Sequence, residues 1–244
     1  MLGKKIIQIE SLDSTNNYIA NLMNVGKIEH GTVILADEQI NGKGQRGSKW
    51  LSNPGENLIF SMFLDTATLS VNHQFILTEF VSISVCNALK KAGVDPVIKW
   101  PNDIFVNKKK IAGILIENQI KGSNLNGTIV GIGLNINQVN FGDLIATSIK
   151  TEKGVFFSVQ EFVFLLLNEM NVIWQFIQEN NFKFLEKEYL NNLWLLNKKS
   201  IYSDVNGEFE GVSKGIDEVG RLIIERDDCL FHYDLKEISF VINK

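Results

Sequence analysis

Cysteine is scarce in this chain: Cys86 and Cys229 are the only two, and neither sits in a Cys-x-x-Cys pair. That argues against a disulfide framework and a thiolate zinc site, and it fits a reducing, cytoplasmic setting. Histidine is nearly as sparse. His30, His73 and His232 lie far apart with no acids at ligand spacing, so they read as surface or capping residues and not as a metal centre. Long apolar runs are missing too. The longest, Phe162 to Leu167, has six residues, whereas a membrane span needs about 20. The N-terminus turns polar too early for a signal peptide. Nor is there an excess of positive charge: 24 Lys and Arg stand against 28 Asp and Glu, net −4. This speaks against a nonspecific nucleic-acid binder but leaves room for a local basic loop around a phosphate.

What is present is ordinary globular material. Of the 244 residues 45% are hydrophobic and 21% charged, enough for a full core and for one or two domains. A first strand is expected at Lys5–Glu10. A helix should follow Asp13-Ser14-Thr15, whose side chains suit capping, and stop at Gly26. Thr32–Ala36 and Asn57–Leu64 read as strands, Phe75–Leu89 as a buried helix. Strand-like runs continue at Val97–Trp100, Ile104–Asn107, Ile111–Asn118 and Thr128–Ile136. Ser158-Val159-Gln160-Glu161 is a capping-box pattern opening a helix to about Gln178, and a second helix spans Phe182–Leu196. From Ile201 the pattern changes to five short strands with glycine turns, as in a small β-barrel. This tail carries ten acids against five bases. Mixed hairpins and helices without strict βαβ alternation make the class α+β, with a boundary near Asn197: residues 1–196 and 197–244.

Four segments carry chemistry. Asn41 to Trp50 (NGKGQRGSKW) holds three glycines and three cations with no acid, the composition of an anion cradle. Gly42, Gly44 and Gly47 also match G-x-G-x-x-G, but Leu51 to Glu56 is a poor helix, so a dinucleotide-binding turn is rejected. Taken alone the loop reads as a solvated hairpin tip. Lys99-Trp100-Pro101-Asn102-Asp103 places two polar residues in an apolar strand region; Asp103 could hold Mg²⁺ or a ribose, and the bland alternative is a turn. In Lys108 to Glu117, Lys108 and Lys109 read as an exposed tip, while a lysine at the mouth of a buried strand can meet an anion and Gly113 invites close approach. In Gly131-Ile132-Gly133-Leu134-Asn135, alternating glycines bare one strand face for a flat group, and Asn135 offers a donor and an acceptor. Together these are parts of a nucleotide-activating site.

With these residues in that order, the sequence resembles the bacterial biotin protein ligases, through Asp13-Ser14-Thr15-Asn16, Gln39, Gly42–Trp50, Lys99–Asp103, Lys110-Ile111-Ala112-Gly113 and Gly131–Asn135. The resemblance implies a catalytic domain related to class II aminoacyl-tRNA synthetases, followed by an SH3-like barrel. It implies that biotin and ATP form biotinyl-5′-AMP, with Mg²⁺, and that biotin passes to a lysine of a biotin carboxyl carrier domain of acetyl-CoA carboxylase or another biotin-dependent carboxylase. On this resemblance Ser14, Thr15, Asn16, Gln39, Lys43, Gly44, Gln45, Lys110, Gly113 and Gly131 bind biotin. Arg46, Lys49, Trp50, Asn102, Asp103 and Asn135 bind the nucleotide, Trp50 by stacking on adenine. Lys110, Asp103 and Arg46 are catalytic, and Asp103 is the candidate metal ligand. Two departures stand out. The family's loop is more often Gly-Arg-Gly-Arg, where this chain has Lys43 and Gln45, losing a bidentate fork and a charge. Only twelve residues precede Asp13, too few for the helix-turn-helix of repressor-type members, so an enzyme without DNA binding is expected. Family members dimerise through the catalytic sheet, which puts a homodimer among the expected assemblies. Two rivals remain: a lipoate or octanoate ligase, which needs a long apolar slot in place of Ser14-Thr15-Asn16 and Gln39, and a binding sensor without turnover.

Overall fold

The computed structural model describes residues 1–241, apart from the side chain of Arg46. Its elements run β1 (Ile6–Leu12), α1 (Thr15–Asn24), β2 (Val33–Gln39), β3 (Asn57–Leu64), α2 (Phe75–Lys91), β4 (Val97–Lys99), β5 (Asp103–Val106), β6 (Lys109–Lys121), β7 (Asn124–Asn135), α3 (Ile149–Lys153), α4 (Val159–Gln178) and α5 (Phe182–Asn191). A second set follows: β8 (Lys199–Asp204), β9 (Gly207–Ile216), β10 (Leu222–Arg226), β11 (Cys229–Tyr233) and β12 (Ser239–Phe240). The first sheet has the order β1-β2-β3-β7-β6-β5-β4; β1 and β2 are parallel and the other neighbours antiparallel.

Side chains alternate across a strand, and that alternation divides the sheet's labour. On β3, Leu58, Phe60, Met62 and Leu64 join the main core with residues of α2 and α4. So do Val130, Ile132 and Leu134 of β7, and Ala112 and Ile114 of β6. The odd positions face the other way. There Phe63 and Ile129 pack with Ile19 of α1 and Ile34 of β2 in a smaller cluster, Ser61 is buried against Thr15 and Asn16, and Gly131, Gly133 and Gly113 line a cavity. The helices on one face stabilise the sheet, and the other face is left for α1 and a cavity.

The expected elements appear with shifted ends. Helix α1 starts at Thr15, but Ser14 makes no side-chain cap. Gln39 supplies it instead: its Oε1 accepts from the Thr15 amide at 2.7 Å. Helix α4 opens as expected, with Ser158 Oγ accepting from the Glu161 amide. Helix α5 is shorter than its pattern because the next residues are drawn to β4: Asn192 O accepts from Ile98 N and Trp194 N donates to Ile98 O, both at 2.8 Å. Leu195 and Asn197 then take positive φ, which ends helical continuation. The short α3 has no counterpart in the sequence reading.

The second sheet has the order β11-β10-β9-β8-β12, all antiparallel. No pairing closes β11 onto β12 among the described residues. Its apolar residues Tyr202, Phe209, Leu222, Ile224 and Ile238 belong to the main core cluster. No helix among the described residues is long and apolar enough to cross a membrane.

One buried acid marks the packing of α2 on α5. Glu79 is 4% exposed, and burial, then the nearby Glu186, pushes its carboxyl from 4.5 to about 8. Folded chains therefore hold this proton where unfolded chains have released it. The sign follows: Glu79 contributes stability that is full below about 4.5 and is lost as pH rises through about 8. Thermal unfolding followed from pH 5 to 8 should show a decline that flattens in Glu79→Gln; an equal decline in both proteins would refute the assignment.

Candidate active site

The turn between β4 and β5 is held by four hydrogen bonds from three partners. The Trp100 indole donates to Gly220 O of the second sheet at 2.9 Å, and Tyr189 Oη donates to Pro101 O at 2.8 Å. Asn102 Nδ2 donates to Ile114 O, and Ile114 N returns a bond to Asn102 O. The Trp100–Pro101 peptide is cis. The turn so fixed presents Asp103, whose Oδ1 lies 2.5 Å from Lys110 Nζ. Lys110 arrives by a two-residue hairpin turn, Asn107-Lys108, in which both residues have positive φ, as a type I′ turn requires. Lys108 and Lys109 are exposed at the tip, as expected.

Lys99 stands beside this pair. Its ammonium lies 5.2 Å from the Phe105 ring centroid and 5.4 Å from that of Phe240. Trp194 stacks on both rings, so the lysine is held by aromatic faces. Burial foremost lowers its pKa; Asp103 works against that and Lys110 adds to it.

Residues 41–50 form a small hairpin, with Gly44 N donating to Ser48 O at 2.7 Å and Trp50 N to Gly42 O at 3.0 Å. The indole of Trp50 settles on the bare strand face. A Cβ at Gly133 would collide with its ring, and one at Gly113 would crowd it. Its Nε1 is buried with no hydrogen-bond partner among the described residues. The room for a flat group read from Gly131 and Gly133 is real, and the chain's own tryptophan fills part of it.

The other end of the cavity is a hydrogen-bonded chain. Gln39 Oε1 accepts from both Thr15 N and Thr15 Oγ1, at 2.7 and 2.9 Å. Ser61 Oγ lies 2.7 Å from Thr15 Oγ1 and 2.5 Å from Asn16 Oδ1, and Asn16 Nδ2 donates to Glu117 Oε2 at 2.6 Å. Asn16 sits over Gly131, where a side chain would exclude it. Lys43 Nζ donates to Asn17 Oδ1 at 2.5 Å, which ties the loop to α1.

Both ends open into one cavity of about 480 Å³. Of the residues singled out from sequence, Ser14, Thr15, Asn16, Gln39, Lys43, Gly44, Gln45, Lys49, Trp50, Asn102, Asp103, Lys110, Gly113 and Gly131 line it. Asn135 does not: it is 3% exposed, and its Nδ2 donates to Thr147 O at 3.0 Å. The Asn102 amide nitrogen is likewise engaged by the backbone. Arg46 has no described side chain, so its expected role lies outside the described residues. Sequence reasoning named Lys99 and Glu117 inside its segments without giving them a role, and it passed over Ser61 and the 235–240 segment; of these, Lys99, Leu235, Lys236, Ile238, Ser239 and Phe240 line the cavity. Ser61 carries a legible signal, a lone hydroxyl on the open-face parity of an apolar strand. Phe240 carries none.

A cation-rich turn and a polar relay thus meet at one cavity, on an α+β sheet with a small antiparallel sheet packed against it. Comparison with known proteins supplies the class. The profile of the Biotin/lipoate A/B protein ligase family matches residues 8–135. The Bifunctional ligase/repressor BirA of Escherichia coli (strain K12) is 30% identical over 97% of this chain and 74% of its own length. The Biotin--[acetyl-CoA-carboxylase] ligase of Paracoccus denitrificans is 30% identical over 78% of this chain and 82% of its own. Among solved structures, the biotin protein ligase from Aquifex aeolicus in complex with biotin and ATP superposes with a TM-score of 0.81 at 26% identity, covering 98% of this chain and 100% of that one. The chain belongs to the biotin/lipoate A/B protein ligase family.

The fit of Trp50 to its strand face can be tested directly. Gly133→Val should displace the indole and loosen residues 41–50, so trypsin should cut after Lys43 and Lys49 faster than in the parent while circular dichroism is unchanged. Equal cleavage rates would show that the glycine does not seat the loop.

Proposed function

We infer that this chain is an ATP-dependent biotin–protein ligase. It activates biotin to biotinyl-5′-AMP and passes the biotinyl group to a lysine of the biotin carboxyl carrier domain of acetyl-CoA carboxylase or another biotin-dependent carboxylase. The observation that carries this reading is the pairing of a neutral hydrogen-bonding end with a charged end in one cavity. Gly131 and Gly133 mark the two ends on β7, two residues or about 7 Å apart along the strand. A ureido ring has one acceptor and two donors, and Thr15, Asn16 and Gln39 in the cavity wall match it in kind. Lipoate's dithiolane carries no strong donor or acceptor to meet such a wall.

In the first step an oxygen of the biotin carboxylate attacks the α-phosphorus of ATP and pyrophosphate leaves. Charge accumulates on the phosphoryl oxygens, and the ammonium of Lys110 is the natural group to meet it, with Asp103 holding it in place until substrate arrives. Lys99 adds a second cation in a poorly solvated position, where Coulombic attraction to phosphate is strong. Lys43, Gly44, Gln45 and Lys49 close over the mixed anhydride, and Trp50 offers a ring face and an indole N–H to the adenylate. In the second step a neutral carrier lysine attacks the acyl carbon, loses a proton and releases AMP.

Mg²⁺ fits only as part of the nucleotide. No group of three metal-ligating side chains occurs among the described residues, and Asp103 is the one carboxylate lining the cavity. A magnesium ion held mainly by phosphates, with Asp103 as a protein ligand, is consistent with that donor set.

The deciding assay is transfer of labelled biotin to a purified carrier domain with MgATP, run beside lipoate and its acceptor. Biotin transfer alone supports the reading, lipoate transfer replaces it with the sister activity, and biotinyl-AMP retained without transfer points to a sensor. In Lys110→Ala, adenylate formation should fall by at least about 100-fold while biotin still binds. A loss within about threefold, under 1 kcal/mol on the barrier, would remove Lys110 from the mechanism.

A further inference from the structure

We propose that Tyr189 of α5 is a positioning residue that holds the Lys99 ammonium at the nucleotide end of the cavity. That role rests on the biotin-ligase reading above, which makes Lys99 the second cation beside the phosphates, and deepens it there.

Lys99 ends a strand that has little support of its own. β4 has three residues and lies at the edge of its sheet, with β5 as its one ladder neighbour. The open edge is gripped by the end of α5. Ile98 N donates to Asn192 O and Trp194 N donates to Ile98 O, both at 2.8 Å. Tyr189, one helical turn earlier, donates its Oη proton to Pro101 O at 2.8 Å. Lys99 thus lies between two attachments to one short segment, Ile98 before it and Pro101 after it. The same segment supplies Trp194, whose ring stacks on Phe105 and Phe240, the two rings beside the ammonium.

The tyrosine holds the part of the turn that the other ties leave free. Lys99 and Asp103 oppose each other on the β4–β5 ladder, with Trp100, Pro101 and Asn102 between them. Asn102 and Asp103 are fixed to β6 through Ile114 and Gly113. Trp100 is fixed to Gly220 only by the tip of its side chain. Pro101 has no N–H, so its carbonyl is its one backbone hydrogen-bonding group, and Tyr189 takes it. The hydroxyl is delivered from a fixed ring: Tyr189 is fully buried and meets Phe75 edge-on, with centroids 5.6 Å apart. Without the hydroxyl, the backbone between Lys99 and Asn102 can swing. Burial disfavours the Lys99 charge where it stands, so the swing carries the ammonium toward water and away from the phosphate position.

Tyr189→Phe tests this, because it removes the hydroxyl and keeps the ring. In biotin-dependent ATP–pyrophosphate exchange, kcat/KM for MgATP should fall at least about threefold, the worth of one hydrogen bond. KM for biotin should stay within about twofold, because Thr15, Asn16 and Gln39 line the other end of the cavity. Lys99→Gln should lower kcat/KM for MgATP by at least about tenfold. Adding Tyr189→Phe to Lys99→Gln should cost at most about twofold more, since no ammonium is left to place. A smaller fall in either single variant, or an equal rise in KM for biotin, would overturn the inference. So would a further loss in the Lys99→Gln chain as large as in the parent, which would make Tyr189 a structural residue. A parent chain without biotin-dependent exchange would instead overturn the functional reading. The positioning would still be legible without substrate: the Lys99 side-chain carbon resonances should titrate closer to the ordinary lysine value of 10.5 in Tyr189→Phe than in the parent, and superimposable titrations would refute it.

Discussion

Three missing side chains govern the functional face of this protein. Gly113, Gly131 and Gly133 lie side by side on β6 and β7, with Gly113 paired to Gly133 across the ladder. Each sits where alternation would otherwise point a residue at the cavity. Glycine within a strand costs about 0.5–1 kcal/mol relative to alanine, and the sheet bears that cost three times in its centre. It can do so because the opposite parity of the same strands is packed against α2 and α4. What the bare face provides is close approach. Asn16 descends over Gly131 and the Trp50 indole lies over Gly133 and Gly113, so the polar relay and the closing loop both rest on backbone.

The charged end follows a different logic. The pair between Lys110 and Asp103 is partly open to solvent, with side chains 34% and 25% exposed, and such pairs add little to stability. Its value lies in placement. It keeps an ammonium at the mouth of β6 without neutralising the region, because Lys99 stands beside it with its charge disfavoured by burial. A cation that is poorly solvated before substrate binds loses little hydration when a phosphate arrives and gains an opposite charge. The cavity thus carries ammonium groups at one end and neutral hydrogen-bonding side chains at the other.

Much of this was legible from the residues. β3 was read with its observed limits because apolar continuity and period-two parity agree there. The loop at 41–50, the turn at Lys99–Asp103 and the glycine pair on β7 were each identified from composition, and the fold brings all three to one cavity. The failures have physical causes. The cap of α1 comes from Gln39, 24 residues away, which no local pattern reveals. Helix α5 stops early because β4 captures the backbone that follows it. Asn135 has the right parity for a base edge, but its amide nitrogen goes to Thr147, in a segment with no periodic signal. The flat group foreseen over the glycines is, in part, the tryptophan read as its stacking partner.

The second sheet shows why composition and packing divide a chain differently. Acidity and strand length change near residue 197, and the tail looks separable on paper. Physically it reaches back to the Lys99–Asp103 segment twice. Gly220 accepts the Trp100 indole hydrogen, and Phe240 forms one wall of the aromatic sandwich around Lys99. Gly220 also lies against Phe75 so closely that any side chain there would collide. Its apolar residues share one cluster with α2 and the first sheet. Displacing this small sheet would take away the wall beside Lys99 and the buttress of the turn that carries Asp103, so the arrangement of charge at that end of the cavity depends on residues far along the chain from every motif that announces it.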